Sequence, residues 1–322
     1  MKNRILILAL STLLLGGIAV GYVITRPGGA LSGTADPSEV ALRGEGRVLA
    51  LFNGRLGTAR RDGGDQKISA IRCDRSYAAA GTIGCLRPSE ENWGQYQLVV
   101  LNGQFQETGK PLDVPGLANR LRVSNSGRMV SWTVFVSGED YTSDVMSTRT
   151  GILDTKSGEA IPSLEVFAAT INGMPHKAVD DNYWGITFAG DDNRFYVTMF
   201  AGGTRYLMEG DLAARTVRNL KSNVECPSLA PDQRRIAFKE AIDGNPKKGW
   251  RLSVLELATM KVTHLAETRS VDDQPAWLDN GTVAYNVQRS DGINETYGVP
   301  ADGSGHPVKL VEGGNSPAPY GL

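Results

Sequence analysis

The feature that most constrains this chain is a polar turn that recurs just before an apolar strand. Asn125-Ser-Gly-Arg128 precedes Met129-Val, Asp191-Asp-Asn-Arg194 precedes Phe195-Tyr, Asp232-Gln-Arg-Arg235 precedes Ile236-Ala, and Asp279-Asn-Gly-Thr282 precedes Val283-Ala. The intervals between the first turn residues are 66, 41 and 47. An Asp or Asn side chain at such a start accepts hydrogen bonds from backbone N–H groups two residues on, and Gly or Asn further along tolerates positive φ. A period in the forties with room for four short strands describes a propeller blade; the interval of 66 requires an insertion, placed between Leu164 and Asn182.

From Arg47 onward no apolar stripe of helical period exceeds about two turns, whereas β-branched and aromatic runs recur. Such runs cover 47–52, 96–101, 129–136, 194–200, 250–255 and 282–287, each bounded by Gly, Asp, Asn or Pro. The chain's 38 Gly and 15 Pro are spread out rather than clustered, as many short strands require. Residues 46–322 are therefore expected to form one all-β domain. Units near 73–114, 117–166, 182–221, 225–266 and 273–312 make five four-stranded blades. Residues 47–71 supply only three strands, and Asn315-Ser-Pro-Ala-Pro-Tyr-Gly-Leu322 reads as a lone first strand. Joined, they complete a sixth blade from both ends of the chain, which removes the open edges.

This wording resembles the TolB-type propeller repeat, in which Pro-Ala-Trp-Ser-Pro-Asp-Gly-Lys leads into an Ile-Ala-Phe-like strand. The matches are Ala230-Pro-Asp-Gln-Arg-Arg-Ile-Ala-Phe238 and Gln274-Pro-Ala-Trp-Leu-Asp-Asn-Gly-Thr-Val-Ala-Tyr285, with Asp62-Gly-Gly-Asp-Gln-Lys-Ile-Ser69 as a turn between third and fourth strands. Gln233 stands where the family prefers Gly, and Leu229 where it prefers Trp. The resemblance runs from Arg47 to Leu322 and implies protein–protein work around the mouth of the central channel. The family's N-terminal α/β domain has no counterpart before it.

Ahead of the propeller, Lys2 and Arg4 are followed by an apolar or small-residue run from Ile5 to Ile24. At about 1.5 Å per residue such a run, as a helix, crosses a bilayer. Residues 1–26 are read as a signal anchor that leaves the rest outside the cytoplasm. Gly33-Thr-Ala35 offers a cleavage site should the segment instead be a long signal peptide. Residues 27–45, rich in Gly, Pro and Ser, form a flexible tether. Export permits disulfides, and Cys73 and Cys85 flank a short hairpin whose ends bring two sulfurs together; the alternative is a pair of buried thiols. Cys226 is left as a buried core residue.

Charge is balanced, 34 Lys and Arg against 35 Asp and Glu, so there is no electrostatic footprint for nucleic acid. The only histidines, His176, His264 and His306, occupy unrelated blade positions with no second metal ligand at helical or hairpin spacing. No Gly-x-Ser-x-Gly elbow occurs, and the glycines of Asp62-Gly-Gly-Asp65 and Gly202-Gly203 precede no helix that would cradle a phosphate. Trp93, Trp132, Trp184, Trp250 and Trp277 read as core packing.

One set of residues stands above this background: the connections leading into first strands carry Asp74, Arg75, Asp180, Asp181, Glu225, Asp272 and Asp273. In a propeller these gather at one mouth of the channel. The expectation is an acidic mouth that binds a divalent cation or a basic peptide segment, against solvated loop charge as the plain reading. The chain is thus expected to be a monomeric, non-enzymatic binding or scaffold protein of the bacterial cell envelope. It would be membrane-anchored or secreted, need no cofactor, and take an envelope protein or peptide as partner. The second reading is a propeller enzyme acting on an extracellular saccharide or peptide.

Overall fold

The turn residues act as their chemistry dictates. The computed structural model describes residues 46–92, 94–136 and 147–319. In it Asp191 Oδ1 accepts from the N–H groups of Asn193 and Arg194 at 3.0 and 2.8 Å, Asp232 Oδ1 from Arg234 N–H at 2.9 Å, and Asp279 Oδ1 from Gly281 N–H at 2.8 Å. In the remaining unit two serines take over: Ser126 Oγ accepts from Arg128 N–H at 3.1 Å and Ser124 Oγ from Met129 N–H at 3.0 Å. Gln233, with φ of 62°, adopts the left-handed conformation that the repeat otherwise gives to glycine.

Each turn joins the first and second strands of an antiparallel sheet, and six sheets follow in chain order. Blade 1 holds Arg75–Ala79, Thr82–Pro88, Tyr96–Leu101 and Leu112–Val114; blade 2 holds Leu117–Val123, Met129–Val136, Ser147–Asp154 and Ala160–Ile161. Blade 3 is built on Asn182–Phe188, Arg194–Ala201, Thr204–Asp211 and Thr216–Ser222. Blade 4 holds Glu225–Leu229, Arg235–Ala241, Trp250–Glu256 and Val262–His264; blade 5 holds Ala276–Trp277, Thr282–Gln288, Asn294–Pro300 and Val308–Glu312. Blade 6 is composite: Gly314–Pro319 pairs antiparallel with Arg47–Phe52, and Arg55–Arg60 and Lys67–Arg72 complete the sheet.

The long first interval has a structural cause. After a single turn of 3-10 helix at Leu164–Val166, the hairpin Ala168–Ile171 with Met174–His176 lies against the outer strand of blade 3, its first strand parallel to Thr216–Ser222. That blade therefore has six strands, a correction to the uniform four.

The apolar core is divided into clusters, each lying between neighbouring blades. Met129 and Ile152 of blade 2 pack against Tyr183 and Phe195 of blade 3, Leu49 and Leu56 of blade 6 against Ile83 and Val99 of blade 1, and Val254 of blade 4 against Trp277 and Tyr285 of blade 5. The three remaining junctions are filled in the same way. Each large side chain withdrawn from water contributes about 1.5–3 kcal/mol, so the ring is held by its joints rather than by a central core. Close packing within a blade uses glycine in the third strand. Gly151 pairs with Trp132 and Gly210 with Phe195, and a Cβ at either position would fall 2.2 and 2.1 Å from the facing ring.

Cys73 and Cys85 form the expected disulfide, with Cα atoms 5.4 Å apart, and Cys226 is free and buried. The segment assigned to 1–26, the tether 27–45 and Trp93 lie outside the described residues. Among the described residues no helix is long and apolar enough to cross a membrane.

Candidate functional site

Antiparallel pairing sets the start of every first strand beside the turn between second and third strands, so both reach the same face of the ring. The first strands lie innermost, and four are bulged: Asn119, Gly185, Cys226 and Ser316 sit at breaks in register, the last three with φ of 71, 51 and 52°. A bulge adds an unpaired residue and re-aims the side chains around it. Here it brings polar groups to the axis.

The connection into blade 5 departs from the others by crossing that axis. Asp273 Oδ2 lies 3.3 Å from Arg75 Nη1 of blade 1, and its Oδ1 lies 3.4 Å from Arg120 Nη1 of blade 2. Arg122 of blade 2 donates from Nη2 to the Pro275 carbonyl at 2.9 Å. Gln274 donates from Nε2 to the carbonyls of Ile186 in blade 3 and Pro227 in blade 4, at 3.2 and 2.8 Å. Residues 272–275 thus form a bar across the channel. Burial pushes the Asp273 carboxyl up, but Arg75 and Arg120 outweigh it and hold the pKa below the ordinary range.

Above the bar the channel opens into a cup of about 400 Å³. Phe135, Trp184 and Trp250 supply apolar wall, and Asn119 and Thr148 supply neutral polar groups. Its charged lining is Arg75, Arg120, Arg205 and Lys239 against Glu225 and Asp272. Lys239 and Glu225 are almost wholly buried and 3.1 Å apart; Lys239 also bridges to Asp272, and Arg205 to Glu225. Burial alone would lower the Lys239 pKa, but the carboxylates of Glu225 and Asp272 beside it raise it, so the ammonium stays charged. It lies 4.1 Å from the centre of the Trp250 ring, a cation–π contact that fixes one wall.

Of the residues expected at an acidic mouth, Arg75, Glu225 and Asp272 line the cup and Asp273 supports its floor. Asp74, Asp180 and Asp181 are spent on local structure. Asp74 accepts from the Tyr96 hydroxyl, which burial and that carboxylate push up to about 12. Asp180 accepts from Gly202 N–H at 3.0 Å, and Asp181 binds His176 Nε2 and Ala178 N–H, both at 2.9 Å. The expected acidic ring is therefore a mixed-charge cup with cations in excess, because bases from strands of other blades meet the acids. Among the described residues no three His, Cys, Asp or Glu converge, so the divalent cation considered for the mouth has no ligand set there. The tryptophans also need correcting: Trp132 and Trp277 are buried, whereas Trp184 and Trp250 are half-buried and line the cup. Sequence reasoning missed Arg120, Arg205 and Lys239, whose only signal is a charge inside an otherwise apolar strand.

No family model matches the sequence, and no curated protein matches it. Solved structures do resemble it. TolB from Acinetobacter baumannii is 16% identical with a TM-score of 0.57, covering 86% of this chain and 67% of that one. A putative TolB from Agrobacterium tumefaciens is 12% identical with a TM-score of 0.52, covering 85% and 91%. An oligogalacturonate lyase from Vibrio parahaemolyticus is 9% identical with a TM-score of 0.48, covering 78% and 73%. At these identities the likeness is one of fold, and one fold hosts many functions. In fold, this chain is a TolB-like six-bladed propeller.

Proposed function

We propose that this protein is a non-enzymatic binding module of the cell envelope whose cup receives a segment of a protein partner. The observation that carries the reading is the cup itself, with aromatic walls for an apolar side chain and four cations against three acids, Asp273 beneath Arg75 and Arg120 included. That excess favours a segment bearing carboxylates over the basic one the sequence suggested. The Cys73–Cys85 disulfide supports an oxidising, extracytoplasmic location. Residues 5–24 would tether the propeller to the membrane if retained.

Affinity capture from envelope extract with the full chain tests this, run beside a Trp184→Ala/Trp250→Ala variant of unchanged circular dichroism. A partner held by the wild type, competed by acidic but not basic peptides and lost from the variant, supports the cup. A partner held equally by both proteins would remove it from the reading. The enzymatic alternative draws on one observation, that two tryptophan faces suit a sugar ring as well as a peptide. Turnover of a glycan library, abolished in the same variant, would favour it.

A further inference from the structure

Adjoining the cup, and sharing Arg75, Asn119 and Arg120 with its lining, lies a second and smaller void of about 30 Å³, room for one or two water-sized bodies. It is lined by the inner strands of blades 1 and 2, the bar at Asp273 and Gln274, and Ser316 of the closing strand. Buried polar groups are almost always hydrogen-bonded. Yet five buried side-chain atoms of these lining residues have no partner: Ser76 Oγ, Arg120 Nε, Arg122 Nε and Nη1, and Ser316 Oγ. Arg122 is 4% exposed and Ser76 3% exposed. The three arginine atoms can only donate, and each serine hydroxyl can rotate to donate.

Charge points the same way. Arg75, Arg120 and Arg122 line the void against one carboxylate, Asp273, whose oxygens are divided between Arg75 and Arg120. Arg122 meets only the Pro275 carbonyl and the face of Tyr77, 4.1 Å from its guanidinium carbon. A buried guanidinium without a counter-charge is costly, and a neutral water would leave that charge unbalanced.

We infer that this void is a binding site for a single monatomic anion of the halide class, held by Arg120, Arg122, Ser76 and Ser316 on the propeller axis. The anion ties blades 1 and 2 to the closing strand. Ser76, Arg122 and Ser316 line the void and not the cup, and Trp184 and Trp250 the cup and not the void, so either reading can fail without the other.

The test is thermal unfolding of the full chain in sodium chloride and in sodium gluconate at matched ionic strength, the gluconate ion being too large for the void. Above its dissociation constant, chloride should raise Tm by about 3 °C per tenfold increase, and gluconate should not. The Ser76→Ala/Ser316→Ala variant removes two unpartnered hydroxyls without opening a cavity in apolar core, so it should fold and lose most of that slope. Crystals grown in bromide should show an anomalous peak between Arg122 and Ser316. Equal melting in the two salts, a slope unchanged in the variant, or a void without bromide signal would each overturn the assignment.

Discussion

At Asp273 a single carboxylate balances two guanidinium groups, 3.3 and 3.4 Å away, on blades that do not adjoin its own. Replacing it with asparagine keeps the shape and removes the charge. Because Arg75 and Arg120 are then left without their acid in a largely buried site, Asp273→Asn should cost about 3 kcal/mol in chemical denaturation. The folded-state pKa lies below the unfolded one, so the wild-type advantage is complete above the ordinary carboxylate value of about 4 and disappears as pH falls below it. The variant should therefore converge on the wild type in acid; a constant difference down to low pH would refute the ion-pair account. This residue also marks where the sequence stops being readable. Asp272 and Asp273 stand out as acids before a first strand, but Arg75, 198 positions away, becomes a partner only once the ring has closed. Asp180 and Asp181 look equivalent to them in sequence and differ in fact, because Gly202 and His176 offer local partners that absorb them.

Among the elements, the blades were the most legible part, since turn chemistry and strand period are both local. Gly210 gives that packing a direct test. Its added Cβ would lie 2.1 Å from the buried Phe195 ring, so Gly210→Ala should destabilise by about 1–3 kcal/mol in urea unfolding. Adding Phe195→Leu should recover part of the loss, whereas strictly additive effects would show that the ring is not the obstacle. The turns serve a second purpose that no single unit reveals. Ser126 donates to Asp192 at 2.6 Å, Gly190 N–H to Gln233 at 2.8 Å, Asp232 N–H to Asn280 at 2.9 Å, and Arg61 to Asp279 at 2.5 Å. These contacts link blades 2 through 6 along the face opposite the cup. Gln233, which departs from the family's glycine, is one of the links. The hairpin of 168–176 left no comparable trace, because strands of four and three residues are too short for a period to register.

For the whole molecule, closure by Gly314–Pro319 is the critical connection. Truncation after Gly313 would leave Arg47–Phe52 as an unpaired inner edge and strip Ala318 from the junction of blades 6 and 1. The truncated protein should elute as higher-order species and unfold without a single sharp transition, while the intact chain elutes as a monomer. A monomeric truncation with unchanged Tm would show that the sixth blade stands without its closing strand. The disulfide acts locally instead: by the chain-entropy model its short loop contributes about 3 kcal/mol to the start of blade 1.

The same closing strand sets an order of events during biogenesis. Val48 pairs with Pro319 and Leu49 with Ala318, so the first sheet begun is the last one finished. Until the end of the chain has emerged, strands 47–72 present an open edge to every other nascent chain nearby, the exposure that makes slow β topologies prone to aggregate. Folding of this protein is therefore completed only once residues 314–319 are free to pair with 47–52, and its yield depends on how long that edge is kept waiting.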